Sequence, residues 1–228
     1  MGNKKSSLNQ NSSSGCIISE GKHHDEDFSN NLTEIDRQQD LHYHIKLVFN
    51  GNCSAPIHEY LQNGCKVLDI GSLMGTVFKD EEWINKVIPE LIRVTKPQGW
   101  IEFSDINFGL IDAGPNSTHL INGITQGLSD SGINARSITL MKNWLQPRVM
   151  NITELNKIAP IGVWEPALGK FNLQDCVNYV KLRKSFIVDS MDISENEFLK
   201  LEELAYAEFD STKYKGKFSI MRVFGQKI

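Results

Sequence analysis

Residues 65–71, Cys-Lys-Val-Leu-Asp-Ile-Gly, form the stretch of this sequence that decides the fold. An apolar run ends there in Asp69 and Gly71, which is typical of a buried parallel strand followed by a tight turn. Glycine permits such a turn because it has no side chain and tolerates dihedral angles that other residues avoid. In an open parallel sheet, a ligand site is expected beyond the carboxyl end of such a strand.

The sequence after this stretch predicts a helix and a second strand. Residues 80–95 carry apolar side chains on one helical face, and Pro89 predicts a kink or a break because it removes a backbone donor. A turn at residues 96–99 leads into a strand that begins at residues 100–103. Strand, helix and strand in this order form one βαβ unit with a right-handed crossover.

The other segments complete a prediction of a mixed α/β domain. Its 228 residues, 40% of them hydrophobic, suit one globular domain at residues 33–228. Further helices are predicted at residues 35–49, 55–61, 117–131, 137–146, 172–188 and 194–209, and further strands at residues 149–158 and 217–226.

Residues 1–32 predict a disordered tail, because their apolar content is too low to offset the entropy lost on ordering. Residues 1–6, MGNKKS, fit the pattern for N-myristoylation with Gly2 as the acceptor. One acyl chain holds a protein on a membrane only marginally, with modest help from Lys4 and Lys5. The same residues also fit a solvated tail with a chance glycine at position 2.

Composition narrows the classes of function. The net charge of −4 argues against nucleic-acid binding, which requires a concentrated basic face. No window approaches 18 consecutive apolar residues, so no transmembrane segment is expected. Four scattered cysteines without a CxxC pair favour reduced thiols in a cytoplasmic protein. His42 and His44 lie two residues apart on a predicted helix and share no face, so no metal site is expected.

Several segments together resemble class I S-adenosylmethionine-dependent methyltransferases. Residues 67–71 (VLDIG) resemble the first strand and glycine turn of that family. Residues 90–102 (ELIRVTKPQGWIE) resemble its later helix, Lys-Pro-Gly-Gly turn and fifth strand, and residues 218–225 its last, antiparallel strand. The helical pair before them, with Asn-Gly-Asn at residues 50–52, is similar to fungal members. The resemblance covers residues 35–228 and implies a Rossmann-like sheet with helices on both faces.

The resemblance also implies a cofactor site and a reaction. Asp69, Gly71 and Ser72 would bind S-adenosylmethionine, the first two at its methionine part. A methyl group would pass to a small-molecule acceptor by direct displacement, which mainly needs alignment, so no catalytic residue is named. Taken alone, Asp69 also fits a residue that caps the next turn, and Gly71 one that permits a bend.

The family pattern breaks directly after Gly71. A nucleotide-binding unit of this type places an acidic residue for the ribose about 20 residues onward, at the end of the second strand. That distance reaches residues 90–91, which already lie inside the later helix. The sheet is therefore predicted to be truncated near residues 72–73, without strands two and three and most of strand four. On this interpretation Gly75 belongs to a connection and is not a cofactor glycine.

Two functions remain open on these grounds. One is an S-adenosylmethionine-dependent methyltransferase with an incomplete cofactor pocket, and the other is a catalytically inactive remnant, tethered to a membrane through Gly2, that serves as an interaction protein. A nicotinamide-binding Rossmann protein is a third reading, disfavoured by the missing acidic strand and the incomplete GxGxxG motif. Trp144 and Trp164 fit either walls of a substrate pocket or plain core.

Myristoylation predicts a defined mass for the mature N-terminus. We expect mass spectrometry of the protein from fungal cells to find Met1 removed and a myristoyl group on Gly2, with a Gly2→Ala variant as the unmodified control. An unmodified Gly2 would contradict the interpretation of residues 1–6.

Overall fold

One antiparallel sheet organises the chain. The computed structural model describes residues 32–70 and 74–228. Strands β1 (Trp100–Ile111), β2 (Val149–Pro160) and β3 (Lys217–Lys227) form a three-stranded sheet in the order β1-β3-β2. The central strand β3 is antiparallel to both neighbours, so β1 and β2 run in the same direction. The predicted mixed α/β class and the strands at residues 149–158 and 217–226 are confirmed.

Helices account for most of the remaining described residues. A 3-10 turn at Met74–Thr76 precedes α3, a π-helical turn at Trp83–Val87 joins α3 to α4, and a 3-10 turn at Ser137–Thr139 precedes α6. The α-helices are α1 (Leu32–Phe49), α2 (His58–Gln62), α3 (Asp80–Glu82), α4 (Ile88–Val94), α5 (Pro115–Asp130), α6 (Met141–Leu145), α7 (Leu168–Leu182), α8 (Lys184–Met191) and α9 (Glu195–Phe209).

Helices cover both faces of the sheet, as predicted. Neighbouring residues of a strand point to opposite faces, and Ile220 and Met221 of β3 illustrate this alternation. Met221 belongs to a core cluster with Trp83 and with α6, whereas Ile220 belongs to a cluster with α1. A third cluster joins helices α5, α7, α8 and α9 to Phe108 near the end of β1.

The predicted strand at residues 65–70 is wrong. The segment is irregular and pairs with no described strand, so the predicted parallel βαβ unit does not form. Val67 and Leu68 are 67% and 66% exposed. Buried parallel strands gain their stability from neighbours at both edges and helices on both faces, and a segment at the outer side of β1 has neither.

A π-helical turn precedes Pro89, where a kink or a break is predicted. Helix α3 passes through Trp83–Val87 into α4, and Pro89 lies in the first turn of α4. Proline is tolerated there because the first turn needs no backbone N–H donor from that residue. The widened turn lets the helix that precedes β1 continue to Val94 despite the proline.

A buried arginine attaches the N-terminal helices to the sheet. Arg222 of β3 is 2% exposed, and its Nε lies 3.5 Å from Glu102 Oε1 on β1. The Glu102 carboxylate also accepts hydrogen bonds from the backbone N–H groups of Ser54 and Ala55, at 2.8 and 2.7 Å. Other contacts of the guanidinium go to Ser54 Oγ, Ser104 Oγ, the carbonyls of Gly51 and Asn52, and the ring of Phe49. We call Arg222, Glu102, Ser104 and residues 51–55 the Arg222 cluster.

Removal of Arg222 should destabilise the fold strongly. We expect Arg222→Met to lower the free energy of unfolding by roughly 3 kcal/mol, because it leaves Glu102 and two carbonyls without their buried partner. The matched control is Arg93→Met, which removes an exposed pair with Glu90 and should lower the free energy of unfolding far less, because solvent screens that pair. Urea unfolding measures both values. Equal losses in the two variants would contradict the role given to Arg222.

Candidate functional site

A cleft of about 670 Å³ runs along the outer edge of β1. One wall is the irregular segment at residues 64–70, and the other comes from α4, the turn at residues 95–99 and the first half of β1. The floor includes Gly75, Trp83, Asp105, Ser137, Ile138 and Met141.

The Arg222 cluster positions one wall of this cleft. Residues 51–55 are held against the sheet by Glu102 and Arg222, and α2 follows them directly. Gly64 then adopts a left-handed conformation, with φ of +77°, which ends the helix and directs the chain along the cleft. Across the mouth, the Lys96 ammonium lies 5.4 Å from the centre of the Tyr60 ring. The wall is thus fixed by polar contacts although it belongs to no sheet.

Asp105 is the buried acidic residue of the floor. Its Oδ2 accepts a hydrogen bond from the Gly75 backbone N–H at 2.9 Å, and its Oδ1 accepts one from its neighbour Ile106 at 2.7 Å. The side chain is 7% exposed. Burial raises the pKa of Asp105 from the ordinary 3.8 to about 6, because the two hydrogen bonds offset only part of the lost hydration.

Gly75 is required for this contact. A Cβ atom at position 75 would lie 2.7 Å from Asp105 Oδ2 and 3.0 Å from Ser137 Oγ, so any side chain would push the carboxylate away. The backbone therefore approaches Asp105 as closely as it does only because residue 75 is glycine.

Trp83 contributes a hydrogen-bond donor to the same floor. Its ring is 1% exposed and packs edge-on against Phe78 and Phe103, with centroids 5.4 and 5.8 Å apart. The indole Nε1–H has no hydrogen-bond partner among the described residues. An orphaned buried donor of this kind is uncommon and costs free energy. The floor thus combines one unsatisfied donor with one carboxylate in apolar surroundings.

The predicted cofactor residues fall at the edge of this site. Asp69 is exposed, between Leu68 and Ile70, which both line the cleft. Gly71 and Ser72, like Gly2, lie outside the described residues. The assignment of Asp69, Gly71 and Ser72 to cofactor binding stays a prediction.

The aromatic and histidine candidates lie elsewhere. Trp144 lies on α6 and packs against the core, and Trp164 Nε1 donates to the carbonyls of Ile161 and Gly216. Both side chains are half-buried, and neither lines the cleft. His42 is exposed, whereas His44 is 2% exposed and packs edge-on against two phenylalanine rings. Burial lowers the pKa of His44 to about 4, so this histidine is neutral at physiological pH.

Asp105 and Trp83 were not identified from the sequence. The signal for Asp105 is an alternation: Ile101, Phe103 and Asp105 share one face of β1, and an acid on that apolar face is unexpected. No comparable pattern marks Trp83, because the loss of a partner for its N–H depends on how the π-helical turn places the ring.

The sequence was compared with protein-family models and with curated proteins. No protein-family model matches the chain, and no curated protein matches it significantly. Among the described residues, no group of three or more His, Cys, Asp or Glu side chains could hold a metal ion.

The raised pKa of Asp105 predicts an unusual dependence of stability on pH. The folded state binds this proton more tightly than the unfolded chain, whose pKa is near 3.8, so Asp105 favours folding more as pH falls from about 7 to about 4. The gain is roughly 3 kcal/mol over that window. Urea unfolding across this window gives the free energy of unfolding of the wild type and of Asp105→Asn. The wild-type value minus the variant value should rise by that amount as pH falls.

Asp112→Asn serves as the control, because Asp112 is exposed and pairs with Lys217 just beyond β1. This variant keeps Asp105, so its free energy of unfolding should show the gain at low pH that Asp105 gives the wild type. A wild-type minus Asp105→Asn difference that stays constant from pH 7 to pH 4 would refute the burial of an ionised Asp105.

Proposed function

We propose that this chain is a methyltransferase by descent, that its cleft binds S-adenosylmethionine, and that its substrate is a small-molecule methyl acceptor. One observation carries the proposal. The two motifs of the resemblance, at residues 67–71 and 90–102, are separated by residues 72–89, and residues of both motifs line one cleft. This common location supports the proposal.

The size and the lining of the cleft support a cofactor of this kind. Small-molecule sites are commonly clefts of about 300–1,000 Å³ with mostly apolar walls and a few polar groups, and the volume here is about 670 Å³. Val67, Leu68, Val94 and Trp100 offer apolar surface for an adenine ring. Asp69 is exposed beside the lining residues Leu68 and Ile70, and the proposal assigns it to the methionine part.

The ribose is the part of the cofactor that the described residues do not fit. Two carboxylates line the cleft, and Glu102 is already occupied by Arg222, Ser54 and Ala55. Asp105 lies buried on the floor, bound to Gly75. Because Glu102 is engaged, and because the buried charge of Asp105 is better neutralised by a cation than by a pair of neutral hydroxyls, we expect binding weaker than in a complete methyltransferase pocket, consistent with a truncated sheet.

A catalytically inactive remnant is the second candidate. It is favoured by the segment at residues 65–70. No described strand pairs with the outer edge of β1 there, and three apolar side chains, Val67, Leu68 and Ile70, are exposed. Unpaired strand edges and apolar patches are surfaces that other chains recognise. Such a protein would work in the cytoplasm or, with a lipid on Gly2, at a membrane surface. Within the described residues, no helix has the length and apolar character to cross a bilayer.

Calorimetry with S-adenosylmethionine separates the two candidates. We expect saturable binding with a dissociation constant below about 1 mM, which corresponds to roughly −4 kcal/mol or better. Leu68→Gln removes about 1 kcal/mol of apolar contact from the cleft wall and should weaken binding roughly fivefold.

The matched control is Leu47→Gln on α1, since Leu47 is 70% exposed, close to the 66% of Leu68, and does not line the cleft. This variant should bind like the wild type. Absence of saturable heat with the wild-type protein would rule out the cofactor proposal and leave the inactive remnant.

A further inference from the structure

The floor of the cleft holds a carboxylate that the fold alone does not explain. Asp105 fixes the turn at Met74–Thr76 through the Gly75 N–H, but a neutral side chain with an oxygen at the same place could accept that bond. An ionised carboxylate in a buried position costs much more than a neutral acceptor unless it is paired. The charge of Asp105 therefore calls for a separate reason.

No protein cation supplies that reason. Among the described residues, no Lys, Arg or His nitrogen lies within 4.0 Å of the Asp105 carboxylate. Each carboxylate oxygen accepts about two hydrogen bonds, and each oxygen of Asp105 receives one, from Gly75 or Ile106. Two acceptor positions are thus left on a buried anion that lines the cleft.

The surroundings of Asp105 define what could fill those positions. Ile138 and Met141 lie beside it on the floor, and Trp83 and Phe103 form an aromatic pair there. A ligand for Asp105 must therefore carry a hydrogen-bond donor, preferably a positively charged one, on a flat or apolar skeleton. Aromatic faces also attract a positive charge placed over them.

We propose that Asp105 receives the protonated amine of a small, mostly apolar ligand at the floor of the cleft. A charge-assisted hydrogen bond from an ammonium group satisfies a free acceptor position of the carboxylate and neutralises its buried charge. This inference deepens the proposed function, on which it rests for its biological meaning, by naming the class of methyl acceptor as an apolar amine. Methyl transfer to its nitrogen would first require the ammonium group to give one proton to the Asp105 carboxylate, because a protonated nitrogen has no free electron pair. The binding itself requires no cofactor.

A pair of nearly isosteric probes tests the proposal. Tryptamine carries an ammonium group, and tryptophol carries a neutral hydroxyl group on the same indole-ethyl body. Calorimetry at pH 7.5 should show that the wild-type protein binds tryptamine at least tenfold more tightly than tryptophol. Equal affinities, or no binding of either compound, would overturn the proposal without the use of any variant.

Two variants then locate the preference. Asp105→Asn should bind the two compounds with similar affinity, and Asp112→Asn, beyond the other end of β1, should keep the tenfold preference. Thermal melting confirms that each variant is folded, and the wild-type comparison remains decisive if Asp105→Asn is not. A preference that persists in a folded Asp105→Asn protein would assign the amine to another residue and overturn the inference.

A titration with S-adenosylmethionine in the same experiment keeps the two proposals apart. Tryptamine binding without cofactor binding would refute the methyltransferase and leave an amine-binding cleft. Cofactor binding with no preference for the amine would refute the role of Asp105 alone.

Discussion

The contact between Arg222 and Glu102 is the constraint from which the site follows. A guanidinium group that is 2% exposed must have its donors satisfied inside the protein. Here they reach Ser54, Ser104 and two backbone carbonyls. The chain between α1 and α2 is therefore bound to the middle of the sheet, and the segment that leaves α2 has to pass along the edge of β1. The wall of the cleft is a consequence of how one buried charge is satisfied.

The edge of β1 explains why a cleft forms there and not a fourth strand. Pairing with β1 would leave the segment at residues 65–70 as a new edge with little cover on its faces, so the gain in hydrogen bonds would come without much apolar burial. Water satisfies the same backbone groups at an exposed position. The segment stays irregular, and the space between it and β1 becomes a cavity of about 670 Å³. Among the described residues, the unpaired edge of β1 and the open cleft therefore have the same origin.

Local patterns in the sequence predict the helices and strands that are determined largely by residues within the same segment. The predicted strand at residues 217–226 and the predicted helix at residues 194–209 agree within one residue with Lys217–Lys227 and Glu195–Phe209, because their apolar spacing is local. The predicted strand at residues 65–70 is wrong for the opposite reason, because an apolar run ending in Asp-Ile-Gly forms a strand only where another strand pairs with it. The sequence does not mark Asp105 as a site residue. Its place in the cleft depends on a hydrogen bond from Gly75, 30 residues away, and on burial that no local pattern encodes.

The most direct test of this account is amide hydrogen exchange across residues 65–70, measured by NMR on the ligand-free protein. Unpaired backbone groups open without cooperative unfolding and exchange quickly. The account predicts amides of Val67, Leu68 and Ile70 that exchange far faster than those of Ile220 and Val223 in β3. Protection as high as in β3 would mean that the segment is a paired strand after all, and the cleft along β1 would not exist as described.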